Sequence, residues 1–132
     1  MSALPKWAED LPKGCPPSDA FDAESRDYYR LVETVPPTER DFWSHRKLYP
    51  TKAFRTDECV ARSVSLFATM DACGQAAKLP SLKKKHTVTI ALPPGSGVLK
   101  QTGRSLDHFS WWRADGFDPI PACVWPGMSR TA

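Results

Sequence analysis

The sequence predicts a single small α+β domain, with about six short strands in a mostly antiparallel sheet and about three short helices. Three observations carry that reading. Thirteen prolines divide the 132 residues into short segments, which leaves no room for long helices or long interior strands. His86 to Leu92 alternates Val88, Ile90 and Leu92 with Thr87, Thr89 and Ala91, the two-residue period of a half-buried strand. Thr38 and Thr69 each stand where a helix cap belongs, with acids in the turn that follows, and strands and helices do not alternate as a parallel sheet requires.

Taken in order, residues 1–17 read as a proline-rich extension packed on the domain through Trp7 and Leu11, residues 18–126 as the domain and 127–132 as a flexible tail. Ser18 caps an expected helix through Arg26, its first turns acidic, and Tyr28 to Val32 follows as a strand by aromatic and β-branched content. Thr38-Glu-Arg-Asp41 resembles a capping box and opens a helix to about Leu48 that buries Phe42. Over residues 57–69 two periods compete: Val60, Val64 and Phe67 have helical spacing, whereas Val64, Leu66 and Ala68 alternate. A strand over Ser63–Ala68 is favoured, because Thr69 is a good N-cap for a helix ending near Lys78 and Pro80, and such a cap is itself non-helical. Beyond Lys83-Lys84-Lys85 come the strand 86–92, a turn at Pro93 to Gly97, and strands at 98–102, 108–113 and 122–125.

The charge of +3 is unevenly divided. Residues 1–60 hold nine Lys/Arg against eleven Asp/Glu, and residues 61–132 nine against four, so the second half favours anions: phosphate ligands, RNA or an acidic protein. The excess falls short of a dense basic face, which disfavours a dedicated nucleic-acid binder. No apolar run reaches the 18 residues of a membrane span and the N-terminus has no secretory pattern, so the expected setting is cytoplasmic. Cys15, Cys59, Cys73 and Cys123 form no close pair, so reduced thiols and no bound metal are expected.

Two constellations can carry chemistry. Arg30 can clamp a pyrophosphate, and hydroxyls at Ser44, Ser63, Ser65 and Thr69 can orient a ribose. In Asp107-His108-Phe109-Ser110-Trp111-Trp112 a histidine stands beside a carboxylate, and one tryptophan offers a stacking face. Strand alternation puts His108 and Trp112 on one side and Trp111 on the other, so Trp111 is expected in the core and Trp112 at a ligand or partner surface. Lys83-Lys84-Lys85-His86 can meet phosphates or serve as a solvated turn, and Pro93 to Gly97 lacks P-loop spacing.

Tyr29-Arg30 on an early strand, a serine-bearing middle segment, Ser65-Leu-Phe-Ala-Thr69 before a short Ala-rich helix, and then a hairpin together resemble the core of small ADP-ribosyltransferase-like domains of bacterial toxin and defence systems. The resemblance spans residues 28–102. It implies NAD or a related nucleotide as ligand, with Arg30 on phosphate and Ser63 and Ser65 on the ribose; the 107–112 segment adds Trp112 as a stacking face to that cofactor site and His108 with Asp107 as the candidate catalytic groups. That family's late catalytic glutamate has no counterpart, since no glutamate follows Glu58. The competing expectation is a non-enzymatic module, an antitoxin, immunity or anti-defence protein, whose aromatic-rich surface docks a macromolecular partner, five tryptophans and six phenylalanines sufficing for hot spots as well as core.

Overall fold

The computed structural model describes residues 7–127, so the expected tail beyond Gly127 lies outside the described residues. Seven antiparallel strands form one sheet in the order β1-β5-β6-β3-β2-β4-β7: β1 (Phe21–Asp22), β2 (Arg26–Val32), β3 (Val64–Phe67), β4 (His86–Leu92), β5 (Gly97–Gln101), β6 (His108–Arg113) and β7 (Cys123–Val124). Three short helices accompany it, α1 (His45–Leu48), α2 (Glu58–Ala61) and α3 (Met70–Ala76), with 3₁₀ turns at Glu39–Phe42 and Ile120–Ala122. The α+β class is the one the sequence predicts, with one more strand.

Tyr28, Val32, Val64, Leu66, Val88, Ile90, Leu92, Leu99 and Trp111 form the core with Phe42 and Cys123. The alternation read in β4 is what puts Val88, Ile90 and Leu92 there, each fully buried. β2 and β4 pair along their whole length, from Arg26↔Leu92 to Val32↔His86. β2 and β3, by contrast, meet at the single pair Tyr29↔Phe67. The sheet is therefore split at its centre.

Three expectations change. No helix runs from Ser18 to Arg26: Phe21 and Asp22 pair with Leu99 and Val98 as an edge strand, and Ser25 adopts φ 60°, the left-handed conformation that ends regular structure. The helix expected over 38–48 breaks at Trp43 and Ser44, both extended, because Ser44 caps a second helix with its own side chain. The ambiguous segment 57–69 resolves by containing both periods, a one-turn helix capped by Asp57 and then β3. Thr69 caps α3 by accepting from the Ala72 amide at 3.1 Å.

The cysteine expectation is corrected for one pair. Cys15 and Cys59 form a disulfide, with Cα atoms 5.6 Å apart across 44 residues of chain. Spacing in sequence gave no hint of it, since only folding brings the N-terminal segment onto α2. Cys73 and Cys123 are free and buried. Burial pushes the Cys123 thiol up to about 12, which makes it inert.

Candidate functional site

A cavity of about 440 Å³ opens where β2 and β3 part. Its walls are Arg30 and Leu31 of β2, Ser65 and Phe67 of β3, His108 of β6, His45 of α1, and Ala76, Leu79, Ser81, Leu82 and Lys85 from α3 and the turn after it. Three residues singled out from the sequence, Arg30, Ser65 and His108, thus converge from three strands.

Arg30 occupies the split. A continuing antiparallel ladder would set Leu31 opposite Ser65; instead the Arg30 guanidinium donates from Nη1 to the Ser65 carbonyl at 2.6 Å and from Nε to the Asp41 carbonyl at 2.8 Å. The guanidinium also lies over the Phe42 ring, 5.8 Å from its centroid. Desolvation lowers its pKa to about 10, which leaves it cationic at neutral pH. The side chain is both a structural bridge and a positive wall of the cavity.

His108 is held from behind. Its Nδ1 lies 3.0 Å from the Thr102 carbonyl and 3.2 Å from the Thr102 hydroxyl, which in turn is 2.8 Å from the Ser110 hydroxyl. A carbonyl only accepts, so the geometry assigns a proton to Nδ1, and in the neutral ring Nε2 then carries the lone pair. Phe67 meets the ring edge-on at a centroid distance of 5.5 Å. Asp107 does not orient this histidine: it is exposed, and it is tied down through its backbone, its carbonyl accepting from the Ala68 amide and its amide donating to the Ser105 hydroxyl. Thr102 fills the role the sequence suggested for Asp107.

His45 and Lys85 join the site without having been singled out as a pair. His45 is the first residue of α1, at the exposed rim, and its pKa is lowered by desolvation and then by Arg30, Lys85, Lys52 and His108. Lys85 is the one half-buried member of the lysine triplet; Lys83 and Lys84 are exposed. The signal for His45 was its place directly after a serine N-cap, which aims the first helical side chain out of the preceding loop. Among the described residues, the cavity lining carries no carboxylate.

The remaining candidates lie elsewhere. Ser63 is buried and donates to the Val60 carbonyl at 2.7 Å, closing α2, and it does not line the cavity. Trp112 is 1% exposed and its Nε1 donates to the Cys59 carbonyl at 2.9 Å, so it belongs to the interior and not to a cofactor face. Alternation along β6 holds, but both faces are covered at that end, one by the main core and the other by α2 and the N-terminal segment. Ser44 and Thr69 are helix caps. Lys100 is paired with Asp19 at 2.6 Å. Among the described residues no group of three or more His, Cys, Asp or Glu side chains could hold a metal ion, and no helix is long and apolar enough to cross a membrane.

The chain matches no protein-family model, and no curated protein or solved structure shows significant similarity to it.

Proposed function

We propose that the cavity at the sheet split binds the diphosphate of NAD or a related nucleotide, as the resemblance to ADP-ribosyltransferase-like domains implies. The observation that carries this reading is the convergence of Arg30, Lys85, His45 and His108 on one cavity whose lining has no carboxylate. Such a lining attracts phosphate oxygens and repels nothing on them. At about 440 Å³ the cavity falls in the size range of small-molecule sites. Arg30 and Lys85 supply charge for the diphosphate, Ser65 a hydroxyl for the ribose, and Phe67 an aromatic wall.

Any chemistry would fall to His108. With Nδ1 committed to Thr102, Nε2 can take a proton from water or an acceptor hydroxyl as the bond between ribose and its base breaks. With no glutamate after Glu58, the late carboxylate those transferases use has no counterpart, and His108 is the cavity group left to move a proton. A cytoplasmic setting fits the Cys15–Cys59 bond only if that bond is reversible, since stable disulfides belong to oxidising compartments.

The test is a thermal-shift and calorimetric titration with ADP-ribose, NAD and ATP. Saturation at 100 times the dissociation constant should add about 2.7 kcal/mol of stability. His108→Ala should keep binding within a few fold while abolishing release of nicotinamide from NAD. Absence of any shift at millimolar ADP-ribose would overturn the reading.

A second reading has one observation in its favour. Beside the cavity mouth, Lys47 lies over Trp43, Lys52 over Tyr49 and Arg46 over Phe54, while Phe54 stacks on His45. This aromatic and basic face suits an acidic macromolecular partner, and the partner-docking role moves to it from the buried Trp112. Lys47→Glu with Lys52→Glu should abolish such binding and leave the ADP-ribose titration unchanged.

A further inference from the structure

The wall of the cavity formed by His45 is assembled by the N-terminal segment. Trp7 bridges Ala114, and the Ala8 amide donates to the Arg113 carbonyl at 3.0 Å, which hooks the segment to the end of β6. At the next residue, the Glu9 carboxylate accepts from the Ser44 amide at 2.8 Å and from the Ser44 hydroxyl at 2.5 Å. The Asp10 carbonyl accepts from Arg62 at 2.6 Å, and Cys15 is bonded to Cys59. Ser44 is 1% exposed and is the N-cap of α1, its Oγ accepting from the Lys47 amide at 3.1 Å. Because Glu9 takes the hydroxyl proton, the Ser44 lone pair is turned toward that amide. His45 is the next residue.

A helix of four residues has no stability of its own, so α1 sits where its ends are held. Glu9 holds the start, and the second residue, Arg46, is held by Glu58 of α2 at 2.8 Å while its guanidinium also donates to the Tyr49, Pro50 and Lys52 carbonyls just past the helix end. Glu58 adjoins Cys59. Both supports of α1 therefore meet at the N-terminal segment and α2, the two pieces that the disulfide ties together.

We propose that the Cys15–Cys59 disulfide is a redox lock on the His45 wall of the cavity, with Glu9 as the positioning residue that transmits it. The proposal rests on the nucleotide reading for its ligand, not for its structural content. Both cysteines are half-buried, within reach of an attacking thiolate. A dithiol reductant, dithiothreitol in the laboratory or a protein dithiol in a cell, attacks one sulfur to form a mixed disulfide, and its second thiol then releases the protein. Cys15 and Cys59 each gain one electron and one proton, and the dithiol becomes a disulfide. Without the crosslink the segment beside Glu9 is held only by the Ala8 and Asp10 backbone bonds, so the Glu9–Ser44 pair loosens and α1 loses its fixed start.

The experiment is a cycle of ADP-ribose affinities for the wild-type chain and His45→Ala, each oxidised and reduced with dithiothreitol, with oxidised Glu9→Gln as a variant that leaves the disulfide intact. In the oxidised state His45→Ala should weaken binding about tenfold, the loss of one charge-assisted contact. Reduction of the wild type should cost about the same factor, and His45→Ala should then add less than about twofold. Oxidised Glu9→Gln should behave like the reduced wild type. A tenfold effect of His45→Ala in both redox states would overturn the lock, because a general loss of stability would leave that ratio unchanged. If ADP-ribose binds to no form, the nucleotide reading fails by itself, and the lock is judged by the His45 imidazole NMR signals. Those should shift on reduction and in Glu9→Gln while the signals of His86 stay in place; unshifted His45 signals would overturn it.

Discussion

Glu58 accepts from Arg46 and from Arg62, each at 2.8 Å, and these bonds hold its carboxyl at about 2, below the ordinary 4.5. A folded-state pKa below the unfolded one gives stability above the unfolded value and loses it as pH falls through the folded value. The wild type should therefore lose stability relative to Glu58→Gln between about pH 4.5 and about 2, a window read from thermal melts of both proteins. At His45 the sign is opposite in its use. Its lowered pKa keeps the imidazole neutral near pH 7, and a bound phosphate favours the protonated form, so ADP-ribose affinity should rise as pH falls below neutrality and proton uptake should accompany binding. His45→Ala should flatten that dependence, as calorimetry in buffers of different ionisation enthalpy would reveal. Arg30 differs again, because its first task is to bridge the split sheet. Arg30→Ala leaves the Asp41 and Ser65 carbonyls without their donor and should cost about 2–3 kcal/mol in urea denaturation, with Arg30→Lys losing less.

At the scale of the element, β6 is the most constrained strand. It lies between β5 and β3, and both Trp111 and Trp112 are essentially unexposed. Truncation of either tryptophan to alanine should cost about 3–5 kcal/mol, and equal losses in the two chevron-derived stabilities would verify that both faces are covered. Gly97, opposite Arg113 in β5, has φ 142°, and a Cβ there would collide with the Trp112 carbonyl and the Trp111 indole; Gly97→Ala should therefore be at least as damaging as either truncation. Elements whose own pattern decides them were legible: β4 and β6 have the limits read from the sequence, and Thr69 announces α3 by a local hydrogen bond. Elements decided by distant partners were not. Phe21 and Asp22 become a strand only because β5 offers them an edge, and the break at Trp43-Ser44 depends on Glu9, 35 residues away.

At the scale of the molecule, the same division separates what was read of the site from what was missed. Arg30, Ser65 and His108 share a cavity because strand pairing carries them to the centre of the sheet, whereas His45 enters through a segment whose closure no local pattern encodes. The N-terminal segment is also why Trp112 is interior: Cys59, the acceptor of its indole hydrogen bond, is bonded to Cys15. Closing 44 residues of chain removes entropy from the unfolded state that the chain-entropy relation values at about 4 kcal/mol. Reduction, or Cys15→Ser with Cys59→Ser, should thus lower the melting temperature by roughly 12–20 °C for a domain of this size. Thiol titration gives the companion result: denatured protein prepared without reductant should report two thiols, Cys73 and Cys123, and two more after reduction. Four thiols before reduction, together with an unchanged melting temperature after it, would show that the N-terminal segment is held by its hydrogen bonds alone.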